Sequence, residues 1–344
     1  MQNPSDAEVA DAVSGGDKPD WTTFDVAVIG GGPAGLAAGV SGASEGLLSF
    51  VLDRAAMGGQ AGTTSRIRNY LGFPRGISGQ ELARRAFDQA WTFGVAFQFA
   101  RSATAITKTH DSFHIKLSDG VHVRARTIVL APGADYRRLE LPALEALVGA
   151  GVYYGAAVTE AAAMKDKQVF VVGGGNSAGQ AALHLSRFAR KVTMVVRGRS
   201  LSTSMSEYLI TEMRVRDNII VHCGCRVVGG GGTRKLEFVE LLHADGERAS
   251  HEAEGLFILI GAEPRTEWLP EEVQRDEWGY VLTGPDVLSS GEWTLERSPF
   301  PYETAIPGIF AAGDVRHGSV KRVASAVGEC SVVIQDVHRY LDTH

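Results

Sequence analysis

Two glycine-rich turns, each closing a short run of apolar residues, are where this sequence carries its chemistry. The first is Gly30-Gly31-Gly32-Pro33-Ala34-Gly35, after Asp25-Val26-Ala27-Val28-Ile29. The second is Gly173-Gly174-Gly175-Asn176-Ser177-Ala178, after Val169-Phe170-Val171-Val172. In a strand, turn and helix of this kind one glycine permits the tight turn, the next lets backbone approach a pyrophosphate, and the third position lets helix pack closely on strand. The helix N-terminus adds unpaired N–H donors and the positive end of a dipole. Gly30, Gly32 and Gly35 take these roles in the first turn, with Pro33 and Ala34 opening the helix. Gly173, Gly175 and Ala178 take them in the second, with Asn176 and Ser177 at the helix start. Two dinucleotide sites are implied.

The strands that follow these units separate the two sites. Val51-Leu52-Asp53 ends in a carboxylate, placed to accept hydrogen bonds from an adenosine ribose. The equivalent run Val192-Thr193-Met194-Val195-Val196 ends instead in Arg197-Gly198-Arg199. Planar guanidinium groups bind a ribose 2′-phosphate bidentately, so the second site is expected to prefer NADPH over NADH.

These turns need parallel strands with helices to position them. The expected fold class is α/β: two Rossmann-like three-layer dinucleotide-binding domains, the second inserted into the first. Residues 1–20 carry Ser, Asp, Gly and Pro without apolar periodicity and read as a disordered tail. The first domain is expected at 21–138 and 263–344, and the inserted domain at 139–262. Thr127-Ile128-Val129-Leu130 runs into Ala131-Pro132-Gly133-Ala134, and Gly308-Ile309-Phe310-Ala311-Ala312 into Gly313-Asp314; both read as strand ends that meet a ligand.

Composition narrows the function classes. A net charge of -6 leaves no broad basic surface to neutralise phosphate, so nucleic acid is not an expected partner. There is no run of about 18 uncharged apolar residues and no basic, then apolar, leader at the start, so neither a membrane span nor secretion is expected. A cytoplasmic location follows as an expectation. Of the three cysteines, Cys223 and Cys225 are one glycine apart, too close for ordinary disulfide geometry, in an apolar run where thiols act as small hydrophobes. Cys330 is expected at the start of the last helix, where a thiol pKa can be lowered. No metal site is expected.

Taken in order, these motifs resemble the thioredoxin reductase family, the low-molecular-weight class of FAD-dependent pyridine nucleotide-disulfide oxidoreductases, over roughly Phe24 to Leu341. The resemblance rests on the first fingerprint, Gly58-Gly59-Gln60, Asn69-Tyr70-Leu71-Gly72-Phe73-Pro74, Ala131-Pro132-Gly133-Ala134, the second fingerprint, and Gly313-Asp314 with Lys321-Arg322-Val323. It implies FAD in the first domain, with Gln60 and Asn69 near the flavin ring, Asp314 on the ribityl chain and the Val323 backbone at the pyrimidine edge. It also implies a homodimer.

One segment departs from the family pattern. Members carry a Cys-x-x-Cys dithiol shortly before the second fingerprint; the matching stretch here is Tyr153-Tyr154-Gly155-Ala156-Ala157-Val158-Thr159-Glu160, so Gly155 and Val158 stand where the thiols would be. Neither can form a thiolate or a mixed disulfide. The expected function is therefore NADPH-dependent reduction of the flavin, with electrons passed directly to an external small molecule or redox protein. Reduction of ferredoxin or flavodoxin, residual thioredoxin reductase activity, and a non-catalytic FAD/NADPH-binding redox sensor are the alternatives. Tyr154, Glu160 and His317 are candidates for proton transfer, each with an ordinary reading as packing aromatic, helix-start charge or loop residue.

Overall fold

A computed structural model of the chain describes residues 23–62, 64, 67, 69–155, 160–291 and 293–343. The expected tail at 1–20 lies outside the described residues. The chain divides into two units, one running through Asp135 and resuming at Glu263, the other Tyr136–Ala262. The first break falls after Asp135, three residues before the expected boundary at 138.

The first unit begins with β1 (Thr23–Ile29), α1 (Pro33–Ser44), β2 (Ser49–Leu52), α2 (Gly79–Thr92), β3 (Ala96–Gln98), β4 (Ala103–Lys108), β5 (Phe113–Leu117) and β6 (His122–Leu130). β1 pairs in parallel with β2 on one side and β6 on the other, and β2 pairs with β3. β4, β5 and β6 form an antiparallel meander. Successive residues of β1 feed opposite cores: Ala27 and Ile29 pack with Phe50, Ile115 and Leu130, whereas Val26 and Val28 pack with Ala38, Val129 and Phe310. This strand, buried on both faces, is why the sequence shows a continuous apolar run there rather than an alternation.

After β7 (Ala134–Tyr136) comes the second unit. It contains β8 (Val152–Tyr154), β9 (Gln168–Val172), α3 (Asn176–Leu185), β10 (Lys191–Val196), α4 (Glu207–Arg214), β11 (Ile219–Cys223), β12 (Cys225–Gly231), β13 (Phe238–His243), β14 (Arg248–Glu252) and β15 (Gly255–Ile258). A parallel sheet in the order β11-β10-β9-β15-β8 is its centre, and β12-β13-β14 is a separate antiparallel sheet. Val169 and Val171 face the helices, in one cluster with Ala178, Leu185 and Leu209. Phe170 and Val172 face the antiparallel sheet, in another with Val227, Val239 and Leu241. The layers are thus helix, parallel sheet and antiparallel sheet. α3 ends at Leu185, and Phe188 lies beyond it, exposed.

β16 (Ala262–Pro264) pairs with β7 as a two-stranded ribbon at the two crossings of the chain. The first unit is completed by β17 (Ile309–Ala311), which pairs in parallel with the end of β6, and by α5 (Val323–Leu341). α5 lies on the same face of the sheet as α1, burying Val333, Ile334 and Val337. Each such side chain fully buried stabilises the fold by roughly 1.5–3 kcal/mol.

Candidate functional site

In the first unit the C-terminal ends of β1, β2, β6 and β17 meet one edge of the sheet, and the α1 N-terminus opens there. Gly30 adopts φ +118°, and a Cβ on it would sit 2.1 Å from the Ala131 carbonyl oxygen. A Cβ on Gly35 would fall 1.7 Å from the Gly30 oxygen. Both positions therefore need glycine: one for the turn between strand ends, the other for the close approach of helix to strand. Beside Gly32, by contrast, there is open space, and with no side chain it offers no cap to α1, so the helix keeps unpaired N–H donors at that edge. Pro33 takes the first helical turn, where its missing N–H costs nothing.

Other predicted residues gather around this turn from distant parts of the chain. Asp53 accepts hydrogen bonds from the Gly31 N–H at 2.6 Å and the Ala55 N–H at 2.8 Å, so its carboxylate is held at the turn with lone pairs to spare. A Cβ on Gly59 would meet Gly32 Cα at 3.2 Å, and one on Gly313 would meet Ala34 Cβ at 3.0 Å, which brings both segments against the start of α1. Pro33 and Val323 line a common cavity of about 260 Å³ with Gly58, Tyr70 and Leu82. Gln60 donates from Nε2 to the Ala134 carbonyl, and Asn69 lies exposed in a bend. Ala131 is buried at the end of β6, and Gly133 has φ +72°. Asp314 is desolvated, which pushes its carboxyl above the ordinary range, with the Lys321 ammonium opposing. The Lys321 ammonium lies over the Tyr280 ring, 4.4 Å from its centroid, and Arg322 is the N-cap of α5. Uncapped helix donors, a held carboxylate for a ribose and a desolvated carboxylate for hydroxyls form a donor set that fits a dinucleotide.

The second unit repeats the arrangement with variations. Gly173 has φ +147°, and a Cβ there would lie 2.4 Å from the Leu259 oxygen. Ala178 is fully buried under the sheet, Ser177 is exposed, and Gly175 caps α3 without a side chain. Asn176 Oδ1 accepts from the Ser206 N–H at 2.8 Å and so ties the start of α3 to the start of α4. Arg197 and Arg199 follow the end of β10, both exposed. Neither has an ion-pair partner among the described residues. Two free guanidinium groups beside an uncapped helix start suit a phosphorylated ribose.

The family model described as pyridine nucleotide-disulphide oxidoreductase matches residues 24–330. The chain belongs to this family. It is a thioredoxin reductase-like flavoprotein oxidoreductase. Thioredoxin reductase from Bacillus subtilis (strain 168) is 30% identical over 325 residues, covering 93% of this chain and 95% of that protein. A 34.2 kDa protein in the rubredoxin operon of Clostridium pasteurianum is 29% identical over 325 residues, covering 92% and 97%. The solved thioredoxin reductase from Streptococcus pyogenes MGAS5005 superposes with a TM-score of 0.83 at 30% identity, over 94% of this chain and 100% of that one.

In this oxidoreductase the thiols are poorly placed for electron transfer. Cys330 lies well inside α5, which starts at Val323, and is fully buried; the expectation of a helix-start cysteine fails, and burial pushes the thiol up, away from thiolate. Burial likewise raises Cys225. Cys223, expected to be a small buried hydrophobe, is exposed instead, because β11 is the edge strand of its sheet. Gly155 has φ +69°, and a Cβ there would meet the Tyr136 ring at 3.0 Å. Val158 lies outside the described residues. Tyr154 donates its hydroxyl to Glu145 and accepts from the Leu139 N–H at 3.3 Å; burial first, then the Glu145 bond, pushes it up to about 12, so it is a poor proton donor.

Sequence reading missed two pairings in the first unit, although it named His317 as a candidate. Arg265 donates from Nε to Asp135 Oδ2 at 2.6 Å, with Arg54 also on that carboxylate at 3.3 Å. His317 Nδ1 lies 2.7 Å from Asp276 Oδ2. The turn residues Asp276-Glu277-Trp278-Gly279 were a visible local signal; the partner 41 positions on was not.

Proposed function

We propose that this oxidoreductase binds FAD in the first unit and NADPH in the second, and reduces an external acceptor without a protein dithiol. FAD, when bound, supplies a two-electron carrier that accepts hydride from a nicotinamide and yields electrons to an acceptor. The chain's own residues hold it: Gly30, Gly32, Ala34 and Gly35 with the α1 N-terminus at the pyrophosphate, Asp53 at the adenosine ribose, and Asp314 at the ribityl hydroxyls. Gly59, Gln60, Asn69, Ala131, Gly133, Gly313, Lys321, Arg322 and Val323 surround the flavin end. Gly173, Gly175, Asn176, Ser177 and Ala178 hold the second pyrophosphate, and Arg197 and Arg199 take the 2′-phosphate.

The observation that carries this reading is Gly155. It stands where the family has its first thiol, its left-handed backbone disfavours any side chain there, and a Cβ would press on the Tyr136 ring at 3.0 Å. The acceptor is then a small molecule or a redox protein that meets the flavin directly. The relative named for a rubredoxin operon supports including small iron–sulfur carriers among the acceptors assayed. A homodimer in the cytoplasm is part of the same proposal.

Anaerobic stopped-flow tests it. FAD-loaded protein mixed with NADPH should bleach rapidly at the flavin band, then regain colour with quinone or air but not with thioredoxin and a disulfide. Rapid reoxidation by thioredoxin would overturn the dithiol-free route; no bleaching with either nicotinamide would leave a binding or sensor role.

A further inference from the structure

His317 and Asp276 form a dyad between two loops of the first unit. Asp276 is nearly buried, its side chain 10% exposed, and its Oδ1 accepts the N–H groups of Trp278 and Tyr280, each at 2.9 Å. That leaves Oδ2 for one partner, and His317 Nδ1 takes it at 2.7 Å. The His317 backbone is fixed as well, its N–H donating to the Val281 carbonyl at 2.9 Å while the Val281 N–H donates to Val315. A carboxylate so anchored sets the ring's orientation and tautomer and leaves Nε2 as the working nitrogen. The imidazole is 40% exposed, so that nitrogen can exchange protons with water.

Its position ties the dyad to the flavin end of the proposed site. Asp276 is bonded by the Tyr280 N–H, the Lys321 ammonium stacks over the Tyr280 ring, and Lys321 Nζ donates to the Asp314 carbonyl at 3.4 Å. Asp276 bonds the ring, and the adjacent Arg316 donates to the His317 carbonyl at 3.1 Å while its guanidinium pairs with Glu329 of α5 at 2.9 Å.

We propose that His317, positioned by Asp276, is the proton donor to an acceptor whose reduction takes up protons, as that of a quinone does. This rests on the reading of direct electron delivery given above. Two-electron reduction of a quinone to a hydroquinone takes up two protons. A hydride delivered from the reduced cofactor carries both electrons and one proton to the acceptor. The second proton comes from Nε2–H of the imidazolium to the quinone oxygen, breaking the N–H bond and leaving neutral imidazole with Nδ1–H on Asp276. Water then returns the proton to Nε2.

The test uses full-length FAD-loaded protein reduced anaerobically with NADPH and reoxidised with 2-methyl-1,4-naphthoquinone or with ferricyanide, whose one-electron reduction takes up no proton. His317→Gln should lower the ratio of quinone to ferricyanide reoxidation rates about a hundredfold, the lower end of what a positioned general acid contributes. Free imidazole in the buffer should restore part of the variant's quinone rate. Long-range ¹H–¹⁵N spectra of the imidazoles give a readout without turnover: the neutral ring should be protonated at Nδ1, and Asp276→Asn should shift the tautomer balance towards Nε2–H. An unchanged rate ratio in His317→Gln, or a wild type that ferricyanide reoxidises and quinone does not, would overturn the dyad's role alone. Failure of wild-type reduced flavin to react with either oxidant would instead overturn the reading on which it rests.

Discussion

At the scale of single residues, the two proposed dinucleotide sites differ in the charge that follows their second strands. Asp53 is already engaged by backbone N–H groups, whereas Arg197 and Arg199 are exposed cations without a protein partner among the described residues. Arg197→Ala or Arg199→Ala should weaken NADPH binding about ten- to a hundredfold, the equivalent of one charge-assisted hydrogen bond, and leave NADH binding nearly unchanged. Isothermal titration with both nucleotides measures this, and equal loss for NADH would remove the arginines from 2′-phosphate recognition. The glycine turns were legible because their geometry is local: turn, strand end and helix start lie within a few positions of one another. The pairing of Asp276 with His317, and of Asp135 with Arg265, was not, since nothing in a sequence marks which distant charge a loop will meet. Gly155 could be seen to lack a thiol; that Tyr136 crowds the space beside it needed the fold.

At the scale of elements, α5 shows how a helix can carry a cost in its core. Its amphipathic pattern made it legible as the last helix, but its start at Val323 was not, and Cys330 was placed a full two turns too near the N-terminus. Two residues further along than its apolar core at Val333 and Ile334, Asp336 is fully buried, and no donor reaches its Oδ2 among the described residues. Burial pushes this carboxyl up to about 6, against 3.8 for the free group, with Arg339 opposing. A carboxyl raised in the folded state binds its proton more tightly there than in the unfolded chain, so stability falls as pH rises from about 4 through about 6. Asp336→Asn should therefore stabilise the protein at pH 8 by about 1–2 kcal/mol and give little gain near pH 4. Thermal melts at the two pH values check the sign, and an equal gain at both would assign the effect to packing instead.

For the molecule as a whole, two units with separate cores should not melt as one two-state system. FAD is proposed to bind only the first, so adding it should raise one calorimetric transition, by about 2.7 kcal/mol at a hundredfold excess over its dissociation constant, and leave the other in place. A single transition that moves as a block would mean that the units unfold together. The α/β class was readable at this scale because parallel strands buried on both faces write continuous apolar runs next to glycine turns. The antiparallel sheet β12-β13-β14 was not anticipated as the third layer of the second unit, since short, partly exposed strands leave a weaker pattern.

The ribbon of β7 and β16 has a consequence for ancestry and for engineering. The Arg137 N–H donates to Gly261 and the Arg265 N–H to Gly133, so the two crossings run as adjacent antiparallel strands, at the roughly 4.8 Å separation of any sheet. A pair of strands in that relation is what an ordinary hairpin turn joins. Seen from the host, everything from Tyr136 to Ala262 occupies the place of such a turn. Loop length adds only slowly to the entropy of closure, so a graft at this point leaves the host's strand registers where they were. One nucleotide-binding module could thus have been acquired, or can now be exchanged for another, by a single cassette replacement between two neighbouring strands.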